Sequence, residues 1–398
     1  MPHETPTVRL AAFYLFYFTA MGVVVPYWSP YLRSLGFGPE AIGQLMAVFM
    51  AARIAAPMFM GAAADATGKP MLLVRLSAVL SLVSFLPVLL GEGYLLLAVS
   101  MGAFGFFYAS GLPAFEAVTL NHLGTRSERY GNIRLWGSLG FILAVVGVGR
   151  LLDLTSMEWV PLSLGGCFAG IALVGLLVPA SPSPPSPAGG EQTAPFLQLL
   201  KDKRVLALLL VGVLNQAGHG PYYVFFSIRL EDVGYAKTFI GPLWALGVVA
   251  EIVVFLFTSR LIPRFGPRRL LMVALAMAAL RWNLIARFVE TPILLAGAQT
   301  LHAASYGVVH AVTIHLIHQF FVGRNQSRGQ ALYASFGFGL GGVLGSLFAG
   351  YSWTRLGPVW TYHVASLLPL LALGVAFFWI RDPGNGPGAS PGKVEARG

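Results

Sequence analysis

The sequence predicts an all-α integral membrane protein with twelve transmembrane helices arranged as two pseudo-symmetric six-helix bundles. Three observations carry this expectation. Only 11% of the 398 residues are charged while 56% are hydrophobic, whereas a soluble domain carries about 25% charged residues. Apolar segments of roughly 20 residues, the length of one bilayer crossing, recur along the whole chain. A glycine-bearing basic connection also returns after 198 residues, close to half the chain, as parallel repeats about an axis along the membrane normal require.

Taken in order, hydropathy windows of about 19 residues place spans at 9–32, 40–64, 70–90, 93–121, 130–152 and 157–179. The first reaches Pro26, Tyr27 and Trp28 rather than a small-residue cleavage site, so it reads as a span and not a removed signal. The run of Pro, Ser and Gly from Ala180 to Gly190 cannot form a membrane helix. It divides a first bundle at 1–180 from a second at 204–381, with a cytoplasmic linker at 181–203. Spans follow at 204–229, 237–259, 268–288, 291–320, 326–350 and 358–380, the eleventh carrying Gly337, Gly341 and Gly345 at a spacing that permits close helix contact. The tail 382–398, rich in Gly and Pro, has the composition of disorder.

A formal net charge of +10 raises the question of nucleic acid, and the placement of the charges answers it. Connections after even-numbered spans, together with the two tails, hold 17 Lys and Arg; connections after odd-numbered spans hold 6. By the positive-inside rule both termini are cytoplasmic, and the expected location is the plasma membrane, the inner membrane of a bacterium. The basic excess is topological, the partner is the lipid bilayer, and nucleic acid drops out.

No enzyme is visible. Gly68 and Lys69 are followed by Pro70, not by the Ser or Thr of a phosphate-binding loop. No HExxH and no nucleophile-elbow serine occurs. Cys167 is the single cysteine and can form neither an internal disulfide nor a Cys-based metal site. His302, His310, His315 and His318 advance by 8, 5 and 3 residues, steps expected to scatter round an ideal helix. No metal and no cofactor is expected.

Five charged residues lie inside spans: Arg53, Glu116, Arg134, Glu251 and Arg281. Each costs about 2.5 to 3.5 kcal/mol at the centre of an inserted helix, which marks it for a cavity or a partner. Glu116 and Arg134 lie at similar depths, roughly 7 to 9 Å above the cytoplasmic helix ends, and can meet. Glu251 and Arg281, at about 12 and 20 Å, form a looser pair that can face substrate. The in-span charges sum to +1, or +2 once a glutamate is protonated, which favours an anionic solute. Substrate arrival that diverts an arginine releases a carboxylate to take up a proton, so solute and proton become coupled. Aromatic residues concentrate in spans 1 and 7, at Tyr14, Phe16, Tyr17 and Phe18 and at Tyr222, Tyr223 and Phe225, and Asn215, His219 and Asn283 are polar residues within spans.

The first of the two repeated connections carries Gly61, Asp65, Gly68 and Lys69, and resembles the loop signature of the major facilitator superfamily, with Ala66 where a basic residue is usual. Its counterpart holds Arg264 and Gly266. The stretch from Tyr130 through Arg134 and Ser138 to Phe141 resembles the span 5 motif of the oligosaccharide:proton symporters, the lactose permease-like branch. There Phe141 stands for a sugar-stacking tryptophan and Ser305 lies near the place of a proton-carrying carboxylate, while Arg281 and His302 are similar to that branch's span 9 arginine and span 10 histidine. Ala250–Phe255, Leu280–Trp282 and Gln299–Ala303 more closely resemble the neighbouring 3-phenylpropionate permease branch.

The resemblance implies a monomeric, proton-coupled symporter that works by alternating access on a small solute. An aromatic monocarboxylate such as 3-phenylpropionate leads, with a sugar or nucleoside, or proton-driven drug efflux, as alternatives. Charge, aromatic clustering and resemblance together make Arg134, Arg53, Arg281, Glu116, His302, Phe141, Tyr222 and Tyr223 the expected substrate residues, with Glu251 or Glu116 carrying the proton.

Overall fold

The structure is a computed structural model and describes residues 5–180, 196–322 and 325–380. Most of the expected linker and the whole expected tail lie outside the described residues, as do the side chain of Asp65 and the surroundings of Gly61. The helices in order are α1 (Thr7–Ser34), α2 (Pro39–Thr67), α3 (Pro70–Phe85), α4 (Tyr94–Leu123), α5 (Tyr130–Leu154), α6 (Trp159–Leu177), the short α7 (Phe196–Leu199), α8 (Lys203–Gly218), α9 (Gly220–Asp232), α10 (Lys237–Phe265), α11 (Pro267–Phe288), α12 (Pro292–Thr300), α13 (Val309–Phe320), α14 (Asn325–Tyr333) and α15 (Gly341–Trp379). No strand occurs among the described residues. Eight helical stretches there are long and apolar enough to cross a membrane.

Three spans read as continuous are interrupted. The seventh breaks at His219, where α8 ends and Pro221, which lacks a backbone N–H, starts α9. In the tenth, a π-helical segment at Ala303–Val308 joins α12 to α13, and in the eleventh Ala334–Leu340 does the same between α14 and α15. Each π segment inserts an extra residue into the helical register and turns every later side chain to a new face. Within α15, Gly357 takes φ 77° and Pro358 follows, which separates the eleventh span from the twelfth.

The repeat is visible in the backbone. Gly68 and Gly266, 198 residues apart, both adopt positive φ, at 61° and 79°. Each is followed by a proline, Pro70 or Pro267, that opens the next helix, where a fixed φ and a missing donor cost nothing. At the opposite end of the helices, Gly36 and Gly234, also 198 residues apart, share positive φ at 87° and 90°.

Packing repeats as well. Gly22 of α1 lies on Ala144 of α5, and Gly220, its counterpart, lies on Gly345 of α15. Between the halves, Gly43 of α2 meets Ser346 and Gly350 of α15 while Gly241 of α10 meets Val145 of α5. A methyl group at either glycine would strike backbone, so these contacts bring helix axes as close as small residues allow. Trp28, Phe85, Phe104 and Phe168 form a buried aromatic knot in the first half. Leu95, Leu154, Leu256, Ile293 and Trp360 point outward, exposed, as side chains solvated by lipid do.

Candidate substrate cavity and coupling site

A cavity of about 260 Å³ lies where the two halves meet. From the first half α1 contributes Phe18 and Met21, α2 contributes Met46 and Arg53, and α5 contributes Arg134, Ser138 and Phe141. From the second half come Gln216, Tyr222, Tyr223, Trp244, Glu251, His302, Tyr306 and Phe338. Seven of the nine residues given a substrate or proton role (Arg53, Arg134, Phe141, Tyr222, Tyr223, Glu251 and His302) therefore share one chamber. Glu116 and Arg281 do not line it.

On the first wall the guanidinium of Arg134 lies 3.9 Å from the ring centroid of Phe18 and 5.6 Å from that of Tyr14. A guanidinium on an aromatic face keeps its donors free at the edge. Neither Arg134 nor Arg53 has an ion-pair partner among the described residues. The meeting of Glu116 with Arg134 that their depths allow is not what the structure shows. Glu116 instead accepts a hydrogen bond of 3.2 Å from the Tyr130 hydroxyl, because Arg134 turns toward Phe18 and the chamber. Most span 1 aromatics are core: Tyr17 and Tyr108 stack at 4.2 Å and donate to each other's carbonyls at 3.0 and 2.7 Å.

The second wall is a chain of directed hydrogen bonds. Arg281 is fully buried and donates to Ala298 O (3.1 Å), Gln299 Oε1 (2.8 Å), Ser305 Oγ (3.2 Å) and His302 Nδ1 (2.9 Å). Its guanidinium also sits 4.1 Å from the Tyr222 ring centroid. Arginine only donates, so Nδ1 of His302 is the acceptor and the ring proton resides on Nε2. That Nε2 faces Glu251 Oε2 at 3.5 Å. The looser Glu251–Arg281 pair of the sequence reading is thus bridged by His302, with Arg281 behind the chamber wall instead of in it. Ser305 serves Arg281.

Two glycines pack against this pair, and only Gly307 is tight. Gly247, one turn before Glu251, lies beside His302, whose Cβ, Cγ and Cδ2 would make ordinary contact with an added Cβ at 3.4 to 3.5 Å. Gly307, inside the π segment, leaves room for Glu251, whose Cγ would lie 3.2 Å from an added Cβ. The four histidines share no single face. His302, Tyr306 and His310 stack in sequence, with centroids 5.2 and 6.0 Å apart and planes within 13°. His315 and His318 bond instead to Gln319 and Gln330. Tyr306, one turn after His302, and Trp244, which donates to Ser227 Oγ at 2.9 Å, carried no signal beyond their type. His219 donates through Nδ1 to Asn215 O at 2.7 Å, and Asn283 is engaged by His363, away from the chamber.

The two ends of the interface differ. At the connections carrying the loop motif, Lys69 and Arg264 are exposed, and Arg264 lies over Phe265 at 5.3 Å. At the opposite end Arg33 bonds Glu231 and, at 2.5 Å, Asp232, while Lys237 Nζ lies 3.7 Å from Glu231. Asp153 accepts from the backbone N–H groups of Lys237 (3.0 Å) and Thr238 (2.7 Å). These ties join α1 and α5 to α9 and α10.

The profile of the MFS_1 like family matches residues 7–364. The chain is 27% identical over 372 residues to a probable 3-phenylpropionic acid transporter of Escherichia coli (strain K12), covering 92% of this chain and 96% of that one. It is 28% identical over 369 residues to a maltose permease of Geobacillus stearothermophilus, covering 91% and 92%. Among solved structures, the nucleoside transporter NupG superposes with a TM-score of 0.80 at 17% identity over 93% of this chain and 98% of that one. With a profile match across most of its length, the chain belongs to the MFS_1 like family: it is a multi-pass membrane transporter of the major facilitator fold, not an enzyme.

Proposed function

We propose that the protein is a proton-coupled symporter that imports a small aromatic monocarboxylate, such as 3-phenylpropionate, through the plasma membrane. The observation that carries the reading is the asymmetry of the chamber: Arg53 and Arg134 on one wall have no acidic partner among the described residues, and Glu251 on the other is held by His302. A carboxylate can satisfy two desolvated guanidinium groups, and the surrounding Phe18, Phe141, Tyr222 and Tyr223 suit an aromatic ring. The relative from Escherichia coli supports the same class.

In this reading twelve helices form two six-helix bundles, at 1–180 and 204–381, that rock about the chamber with both termini in the cytoplasm. The protein acts as a monomer. Glu251 is protonated from the side to which the chamber opens. His302 holds the carboxylate through Nε2–H, and Arg281, by fixing Nδ1 as acceptor, fixes the tautomer. Substrate carboxylate on Arg53 and Arg134 alters the field at Glu251, which couples the two loads.

The test is purified protein in liposomes enclosing a pH-sensitive dye, challenged with 3-phenylpropionate, maltose and a nucleoside, with protein-free vesicles to subtract passive acid entry. Internal acidification with the aromatic acid alone, lost in Arg134→Gln, supports the proposal. Acidification with maltose or nucleoside alone replaces the substrate class and keeps the coupling.

A further inference from the structure

A second concavity, of about 560 Å³, lies on the outer face of α10, on the other side of that helix from the chamber. Its walls are Val253 and Phe257, its floor Ala250 and Ala303, and its end is marked by Arg260 and Arg264. The two arginines are four residues apart and so share one helix face. Both are exposed, and neither has an ion-pair partner among the described residues.

The dimensions identify the occupant. From Ala250 to Arg260 is about 15 Å along the helix axis, half of the roughly 30 Å hydrocarbon core of a bilayer. An apolar groove one leaflet deep with two guanidinium groups at its mouth matches an acyl chain with a negatively charged headgroup. Basic pockets between transmembrane helices recognise anionic headgroups in this way. A soluble anion would find charge at the mouth but nothing to bind below it, and a neutral lipid would leave both arginines uncompensated.

We propose that this groove is a binding site for one anionic phospholipid of the leaflet that faces the loop-motif connections. The lipid's phosphate and headgroup meet Arg260 and Arg264, and one acyl chain fills the furrow past Phe257 and Val253 to the two alanines.

The test is native mass spectrometry of the purified full-length protein presented with mixed micelles of phosphatidylglycerol and phosphatidylcholine. The protein is expected to retain one phosphatidylglycerol in preference to phosphatidylcholine. Arg260→Gln/Arg264→Gln is expected to weaken that retention by roughly tenfold or more. Arg260→Lys/Arg264→Lys, which keeps the charge, retains it, and so does Lys201→Gln/Lys203→Gln, which removes the same charge elsewhere at that end. Ala303→Leu, which fills the furrow and leaves both arginines, loses it. Equal retention of the two lipids by the unmodified protein overturns the proposal, as does equal loss in the two glutamine pairs.

Discussion

Arg53 and Glu251 occupy the same position in the two halves of the chain, 198 residues apart, and face one another's walls of the same chamber. The repeat that pairs Gly43 with Gly241 and Gly68 with Gly266 carries an arginine in one copy and a glutamate in the other. In the proposed reading, one duplicated site is divided into a wall that binds the anion and a wall that binds the proton.

The first prediction follows from the arginine wall. Arg53→Gln and Arg134→Gln each remove a charged donor from a carboxylate substrate, an interaction of about 1.5 to 3 kcal/mol. KM for the aromatic acid is expected to rise roughly ten- to hundredfold in each, with little change in the thermal unfolding midpoint, because neither arginine holds an ion pair in the empty protein. Unchanged KM in both variants would place the substrate elsewhere.

The charges of both walls were legible in the sequence because Arg53, Arg134 and Glu251 interrupt strongly apolar windows, where a charge without purpose is costly. Arg281 was legible as important but not as hidden. Its direction depends on Gln299, His302 and Ser305, brought round it at the approach to a π segment that no propensity announces. Glu116 and Arg134 had the right depth, but depth does not fix azimuth, and Tyr130 took the carboxylate.

Gly307 is predicted to set the position of the Glu251 carboxylate, the proposed proton site. A methyl group there would stand 3.2 Å from Glu251 Cγ, so Gly307→Ala pushes the side chain off His302. Exchange of labelled substrate across the membrane is expected to persist while pH-driven accumulation falls several-fold, and the pH at half-maximal uptake moves. A variant with the wild-type pH profile would remove Gly307 from the coupling machinery.

Arg33 is predicted to act as a latch at the end opposite the loop motif, where it joins α1 to Glu231 and Asp232 of α9. Exposed pairs of this kind contribute about 0.2 to 1 kcal/mol each, so Arg33→Gln should open that end only a few-fold more often. With Cys167→Ser as background and a single cysteine at Val24 in the chamber, modification by an impermeant maleimide is expected to quicken roughly two- to fivefold. The charge exchange Arg33→Glu with Glu231→Arg should restore the original rate in part, and an unaltered rate in Arg33→Gln would show that the contact does not gate access.

The division of labour between the walls is tested most directly by one pair of assays on Glu251→Gln in liposomes. Glutamine keeps the size and a hydrogen-bonding group beside His302 but cannot exchange a proton. Equilibrium exchange of labelled 3-phenylpropionate is expected to continue at a rate close to that of the unmodified protein, while accumulation driven by an inward proton gradient disappears. Full gradient-driven accumulation in Glu251→Gln would contradict the account, because the proton would then travel by a route that does not pass through this residue.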